Sequence, residues 1–227
     1  MPLRLESRPV GDVLVIQCQG RIVAGQEVFA LHAHVGDASV KYLHMVMQLD
    51  QVEFVDSSGL GALTRMVHAL RVKGGDLKLS GVPPAIRNVL EMTRLISIFE
   101  VYDNVEEAIT AAYLGSRYSK GMAGDERPRV LCLFESSDVR SFLCEVLLSA
   151  GYNALATANI DDAKILLKAT RTQKVVISAS LQNVYGKPTK KVLEEIEPGV
   201  SMVILAENFA TQDPGEAAEK LLAGVGA

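Results

Sequence analysis

Two periods of hydrophobic residues alternate along the first half of the chain and predict strands followed by helices. Short apolar or alternating runs are typical of strands, and apolar residues three or four positions apart mark one face of a helix. We expect strands at Leu3–Arg8, Val13–Gln19, Tyr42–Leu49, Asp76–Leu79 and Phe99–Tyr102. We expect helices around Val28–Val35, from Phe54–Gly61 onward, and at Ile86–Met92 and Val105–Leu114. This order indicates an α/β domain whose mixed or parallel sheet is covered by helices.

The second half repeats this alternation without repeating the sequence. Strands are expected at Arg129–Phe134, Asn153–Ala156, Lys174–Ser178 and Met202–Leu205. Helices are expected at Asp138–Ala150, Asp161–Ala169, Thr189–Glu195 and Gly215–Ala223. A strand and helix repeated in this way predicts a doubly wound parallel sheet.

Between the halves, residues 115–128 lose all periodicity. The stretch mixes glycine, serine and charged residues, a composition typical of an exposed linker. The 227 residues therefore divide into a first domain at 1–114, a linker at 115–128 and a second domain at 129–227. Each half has the size of an ordinary single domain.

Composition narrows the classes of function. A hydrophobic fraction of 48% and a net charge of -4 describe folded domains rather than a disordered chain. A pI near 5.6 argues against a nucleic-acid-binding module that rests on a basic patch. No apolar run approaches the ~18 residues of a membrane span, and the three cysteines lack metal-ligand spacing. We expect a soluble, cytoplasmic protein with no cofactor, no metal and neither nucleic acid nor membrane as a partner.

The most informative motif is Asp56–Gly61, which reads DSSGLG at a predicted strand-to-helix turn. Free backbone N–H groups and the positive end of the helix dipole lie just beyond the acid and the two hydroxyls. Gly59 and Gly61 keep the turn free of bulk, so that another protein's active site can approach a serine. A phosphoryl group on Ser57 would bring nearly two negative charges to this corner.

A simpler interpretation of the motif is a helix N-cap, because Asp and Ser ahead of an amphipathic helix most often serve that purpose. A nucleophilic serine enzyme is disfavoured, since the motif is not GxSxG. The four histidines (His32, His34, His44 and His68) also have no spacing that identifies a catalytic base.

FVDSSGLGAL, followed by GGDLKLSGVPPAIRNVLEMTRLISIFEVYDNVEEAI, resembles the STAS family of bacterial anti-sigma factor antagonists over residues 3–114. The resemblance implies a sheet-and-helix domain that catalyses nothing. It implies phosphorylation at Ser57 by a partner that is both anti-sigma factor and serine kinase, of the histidine-kinase-like ATPase type. It also implies that Asp56, Ser58, Gly59 and Gly61 belong to the docking surface, which binds the partner only while Ser57 is unphosphorylated.

One departure from the family concerns the loop after the second predicted strand. Many antagonists of this family have an acidic residue there, in a Gly-Glu-Leu-Asp-like stretch, whereas this chain has Gly20-Arg21-Ile22-Val23. If that acid helps to recognise the kinase, the partner of this chain differs or the contact is made in another way.

The second half resembles a degenerate response-regulator receiver domain. A working receiver needs clustered carboxylates that hold Mg²⁺ near an acceptor aspartate. Here the first strand offers only Glu135, the third offers Ser178, Ala179 and Ser180, and Ala206 follows the fourth. The pattern also predicts no fifth strand with its lysine after the fourth helix of this half. We interpret this domain as a docking or dimerisation module.

Three functions stay open. The first is an antagonist switched at Ser57, and the second is a scaffold or stressosome-like assembly component, with a homodimer formed through the second domain. The third is an enzyme with a site near Glu135, Ser136, Ser178 and Ser180, although these residues offer few groups that could act in catalysis. The lysines Lys187, Lys190 and Lys191 are interpreted as a solvated helix face, and Arg65, Arg71 and Arg94 as surface residues able to rim an interface.

Overall fold

A computed structural model describes residues 1–119, 127–206, 209 and 213–226 of the chain. The chain divides into two compact units, Met1–Ala123 and Gly124–Ala227.

The first unit is built on a five-stranded mixed sheet with the strand order β1-β2-β3-β4-β5. Strands β1 and β2 form an antiparallel hairpin, and β2 to β5 run parallel to one another. The strands and helices, in chain order, are β1 (Arg4–Val10), β2 (Val13–Ile22), α1 (Gln26–Ala38), β3 (His44–Val55), α2 (Ser57–Val72), β4 (Asp76–Ser80), α3 (Pro84–Met92), β5 (Val101–Tyr102) and α4 (Val105–Ser119). The predicted mixed sheet with helices is confirmed.

Alternation along the strands sends side chains to both faces of this sheet. Ile16 and Cys18 of β2 and Met47 of β3 pack in one core with buried residues of α1, α2 and α3. Helix α4 packs against β2, β3, β4 and β5. Its Tyr113 hydroxyl donates a hydrogen bond to the carbonyl of Val10 at 3.1 Å and accepts one from the N–H of Asp12 at 2.8 Å. The β1–β2 turn is thereby fastened to α4.

The second unit contains a four-stranded parallel sheet with the order β11-β8-β6-β7. Its elements are β6 (Arg129–Leu133), α5 (Ser137–Ser149), β7 (Asn153–Thr157), α6 (Ile160–Thr170), β8 (Lys174–Ser178), β9 (Asn183–Val184), β10 (Lys187–Pro188), α7 (Thr189–Glu194), β11 (Ser201–Leu205) and α8 (Pro214–Val225). In order along the chain, the four sheet strands are arranged 2-1-3-4, which is the start of a flavodoxin-like doubly wound sheet. The predicted parallel sheet is confirmed.

The small β9–β10 hairpin was not predicted. Its two strands have two residues each, joined by Tyr185 and Gly186 with φ of 53° and 72°. Two consecutive positive φ angles are the mark of a type I′ turn, which matches the twist of a hairpin. A segment of this length carries too few residues for periodicity to reveal it.

Two predicted boundaries differ from the observed ones. Strand β3 continues to Val55, beyond the predicted end at Leu49, and thereby delivers the chain directly to Asp56. Helix α4 continues through Ser119, so that the predicted linker at 115–128 begins inside a helix. Each further helical residue adds a hydrogen bond, which outweighs the modest penalty of one glycine and two serines. Positions 120–126 of that linker lie outside the described residues.

Candidate functional site

Asp56 lies where the longest strand of the first sheet meets helix α2. It is the N-cap of the helix, with φ of -88° and ψ of 179°. Its backbone N–H donates to the carbonyl of Ile22 at 3.2 Å, and its carbonyl accepts from Leu60 at 2.9 Å. The residue therefore joins the end of β2, the end of β3 and the first turn of α2.

Both carboxylate oxygens of Asp56 are occupied by backbone donors. Oδ1 accepts a hydrogen bond from the N–H of Gly59 at 2.8 Å, and Oδ2 accepts one from the N–H of Ala24 at 2.9 Å. These two bonds, first that of Ala24 and then that of Gly59, lower the pKa of Asp56 below its ordinary value, and the charge of Arg21 adds to the effect. The carboxylate is held ionised in a structural role and is poorly suited to act as a base.

Ser57 and Ser58 occupy the first turn of α2, and both are exposed. Across the described ranges neither hydroxyl has a hydrogen-bond partner. The N-cap interpretation of the motif is thus correct for Asp56 alone, since the acid does the capping and the serines do not. The fold leaves both hydroxyls available to another molecule.

The two glycines of the motif have different environments. Gly59 is buried, and a β-carbon there would lie 2.4 Å from the carbonyl oxygen of Ile22. Gly61 is half-buried, and its nearest neighbour would be Nη1 of Arg65 at 3.2 Å. Gly59 therefore allows the close approach of α2 to β2, whereas Gly61 leaves room for an arginine side chain.

Arg21 lies beside this turn, at the end of β2. Its guanidinium stacks on the ring of Phe54, with 5.2 Å between Cζ and the ring centroid. The two residues are also paired across β2 and β3 in the sheet register. Both are exposed, and Phe54 leaves 48% of its surface accessible. Sequence reasoning singled out Arg21 only as a departure from the family, and it missed Phe54, because no local signal links two such distant positions.

The second unit shows how the predicted receiver-like positions are used. Glu135 is exposed after β6, and the carbonyls of Phe134 and Glu135 accept hydrogen bonds from Nη1 of Arg140 at 2.6 and 2.7 Å. The hydroxyl of Ser180 donates to that of Ser178 at 2.9 Å. An arginine thus places positive charge at the carboxyl end of β6, and the two serines bond each other within a short turn.

The residues that the structure describes form neither a metal-binding cluster nor a complete catalytic triad. Among them, no group of three or more His, Cys, Asp or Glu side chains is arranged to hold a metal ion. Ser7 Oγ lies 2.6 Å from Nε2 of His34, a pairing that the sequence did not suggest. In the same ranges no carboxylate orients the other ring nitrogen of His34, so that the third member of a catalytic triad is missing.

The remaining candidates have ordinary structural roles. Met45 and Met47 of β3 are fully buried in the core. Lys187, Lys190 and Lys191 are exposed, and Lys190 faces Glu194 at 3.7 Å one helical turn away. In the part of the chain that the structure describes, no helix is both long and apolar enough to cross a membrane.

Comparisons with known proteins concern the first unit. Residues 4–108 match the family model described as the STAS domain. The anti-sigma F factor antagonist of Paenibacillus polymyxa is 36% identical over 67 residues, which are 30% of this chain and 57% of that protein. BtrV of Bordetella bronchiseptica is 29% identical over 103 residues, 45% of this chain and 88% of BtrV. The structure of the phosphorylated Bacillus cell fate determinant SpoIIAA aligns with a TM-score of 0.40 at 22% identity, over 48% of this chain and 97% of SpoIIAA.

Proposed function

Because residues 4–108 are a STAS domain, we propose that this protein is an anti-sigma factor antagonist switched by phosphorylation of Ser57. The proposed partner is an anti-sigma factor that is also a serine kinase of the histidine-kinase-like ATPase type. The unphosphorylated antagonist binds this partner in the bacterial cytoplasm and thereby releases a sigma factor. The protein itself acts by binding and performs no catalysis. The Paenibacillus relative, 36% identical over the matched segment, is named an anti-sigma F factor antagonist.

The observation that carries the proposal is the division of roles between Asp56 and Ser57. Asp56 caps α2 through Oδ1 and accepts the N–H of Ala24 through Oδ2, while the hydroxyl of Ser57 is exposed and unused by the fold. A phosphoryl group there would add nearly two negative charges next to the positive end of the α2 dipole, where anions are favourable. Phosphorylation would therefore change the surface that a partner meets without unfolding the domain.

The other motif residues contribute to docking in distinct ways. Ser58 is exposed beside the acceptor and is available for direct contact. Asp56 and Gly59 act by fixing the turn, since the carboxylate is fully engaged and the glycine is buried. Gly61 lies one helical turn beyond Ser57 on the same face of α2. Because it has no side chain, it does not obstruct a partner that approaches the serine.

The direct test is phosphorylation of the purified chain by anti-sigma serine kinases of the source organism, with ATP and Mg²⁺, followed by mass spectrometry of the peptides. We expect one phosphate on Ser57, none in Ser57→Ala, and unchanged labelling in the matched variant Ser58→Ala. Phosphate on Ser58, or none on either serine with every such kinase, would overturn the proposed site.

Binding provides a second readout. The unphosphorylated chain should retain the kinase in a pull-down, and the chain phosphorylated at Ser57 should not. Equal retention of both forms would contradict the switch while leaving the phosphorylation site intact.

A second candidate function, assembly through the second unit, is favoured by strand β11. This outer strand carries no charged residue, and its Ile204 is 44% exposed. By contrast, the outer strand β1 contains Arg4, Glu6, Arg8 and Pro9, which are residues that discourage edge pairing. Light scattering should detect a homodimer or larger assembly that Ile204→Lys dissociates. A monomer at high concentration would exclude this candidate.

A further inference from the structure

We infer that the partner docking at Ser57 presents carboxylates to two arginines, Arg21 and Arg65, which flank the serine on the surface of the first unit. The inference rests on the proposed function and specifies the chemistry of its partner: an acidic segment rather than a basic one. It is carried by the positions of the two guanidinium groups and by the fact that neither forms an ion pair with any residue that the structure describes.

The guanidinium of Arg21 is held in place by contacts within the protein itself. Its guanidinium stacks on Phe54, and the pairing of Arg21 with Phe54 across two parallel strands fixes both ends of this contact. Its charge is felt by the carboxylate of Asp56, the residue next to Ser57. That carboxylate accepts two backbone hydrogen bonds and, among the residues that the structure describes, forms no ion pair with Arg21, whose fork is open to an external acid. A stacked guanidinium loses less conformational freedom when it binds, which favours its use at interfaces.

Arg65 lies about two helical turns after Ser57 along α2. Ser57, Gly61 and Arg65 follow one another at intervals of four residues, so that they lie along one face of α2. Helical side chains lean toward the N-terminus of their helix. Accordingly, Nη1 of Arg65 lies over Gly61, 3.2 Å from where a β-carbon would be. The guanidinium is thus extended along the helix toward Ser57.

The described part of the first unit leaves both guanidinium groups without a neutralising partner. Within the described ranges, neither Arg21 nor Arg65 has an ion pair, and both are exposed. The nearest acid of the motif, Asp56, is engaged by backbone donors. Two free arginines beside an accessible serine form a surface whose complement is acidic. Arginine is also one of the side chains most enriched among the residues that dominate interface energies.

The same placement connects the arginines to the switch. A phosphate on Ser57 would offer both guanidinium groups an intramolecular anion of the geometry that arginine binds well. The partner's carboxylates would then meet a neutralised, occupied surface. Phosphorylation and the partner therefore compete for the same two cations.

The experiment measures the affinity of the purified kinase that phosphorylates Ser57 for charge-reversed antagonists, all unphosphorylated and checked for folding by circular dichroism. Arg21→Glu and Arg65→Glu should each weaken binding about tenfold, and Arg21→Gln should weaken it less. Acid-to-lysine changes in the kinase should restore binding to one of the two reversed variants.

The matched control is Lys41→Glu. Lys41 is also an exposed cation stacked on a ring, with 5.3 Å between its Nζ and the centroid of Tyr42, but it lies at the other end of β3. The variant Lys41→Glu changes the net charge by the same amount as Arg21→Glu or Arg65→Glu. It should alter the affinity for the kinase by less than about twofold. If Arg21→Glu and Arg65→Glu bind as Lys41→Glu does, or bind more tightly, the acidic partner surface is wrong while phosphorylation at Ser57 still stands. If no kinase modifies Ser57, the proposed function itself fails, and this inference falls with it.

Discussion

Gly59 is in direct contact with Ile22: a β-carbon at position 59 would lie 2.4 Å from the carbonyl oxygen of Ile22. The same atom would be 2.8 Å from Cγ1 of Val55. Both neighbours belong to strand ends and have little freedom to move. The absence of a side chain at Gly59 therefore allows α2 to begin immediately beside β2 and β3, with Ser57 at the surface and Asp56 bridging the elements.

We expect Gly59→Ala to destabilise the first unit by about 1–3 kcal/mol, because the added methyl group overpacks a backbone contact. The control is Gly61→Ala in the same helix, where the nearest atom belongs to the flexible side chain of Arg65. That change should be neutral or stabilising by up to about 1 kcal/mol, since alanine is the better helix former. Urea unfolding of both variants measures the difference, and equal stabilities would contradict the steric role of Gly59.

Asp56 should make stability depend on pH in the acid range. Its pKa in the folded protein is lower than the ordinary 3.8, so that its contribution is present above pH 3.8 and is lost as pH falls through the folded value. In Asp56→Asn the residue still caps the helix but cannot accept a second bond from Ala24 and cannot titrate. The difference in melting temperature between wild type and variant should therefore be largest near neutral pH and should shrink below pH 3.8.

The matched control for that experiment is Asp103→Asn. The side chain of Asp103 is 90% exposed and makes one ion pair, with Arg87 at 3.8 Å. Its variant removes an exposed carboxylate and should leave the melting temperature near neutral pH almost unchanged. A profile of Asp56→Asn that parallels wild type at every pH would show that the two backbone hydrogen bonds do not favour the ionised form.

Tyr113 should stabilise the β1–β2 turn through its hydroxyl. The hydroxyl bonds the N–H of Asp12 at 2.8 Å and the carbonyl of Val10 at 3.1 Å, and the ring of this α4 residue is buried. Tyr113→Phe leaves both backbone groups without this partner and should destabilise the unit by about 1–2 kcal/mol in denaturant unfolding. Tyr42→Phe is the control, because the described structure gives its hydroxyl no hydrogen bond. A loss of the same size in both variants would refute the anchoring role.

Most of the fold follows from the sequence because burial repeats with the period of each element. The ends of β2 and β4 were predicted within a few residues, since their apolar positions are the core itself. The end of β3 was not, because the polar residues Asp50, Gln51 and Glu53 interrupt the pattern. They remain within the strand because the β2–β3 register shifts and keeps the backbones paired through Val55.

The candidate site was predictable only in part. The order of Asp, Ser and Gly before an amphipathic helix identifies the start of α2 and the exposed serines. It does not reveal that Asp56 also accepts a bond from Ala24, because that bond joins distant parts of the chain. The stacking of Arg21 on Phe54 depends in the same way on strand pairing. The lean of Arg65 over Gly61 is a local feature, and the four-residue spacing of glycine and arginine was the available signal.

Tyr102 should be the clearest late-titrating tyrosine of the first unit. Burial, and then its hydrogen bond to Glu100 at 2.8 Å, raise its pKa from 10.0 to about 12. A raised folded pKa contributes stability that is fully present below pH 10 and is lost as pH rises through about 12. Ultraviolet titration of tyrosinate should show a component near pH 12 that disappears in Tyr102→Phe.

In Glu100→Gln this component should move toward lower pH yet stay above 10, because the tyrosine remains buried. The control is Glu91→Gln, on the exposed side of α3, which should leave the component unchanged. A Glu100→Gln titration identical to wild type would show that the carboxylate does not hold the tyrosine proton.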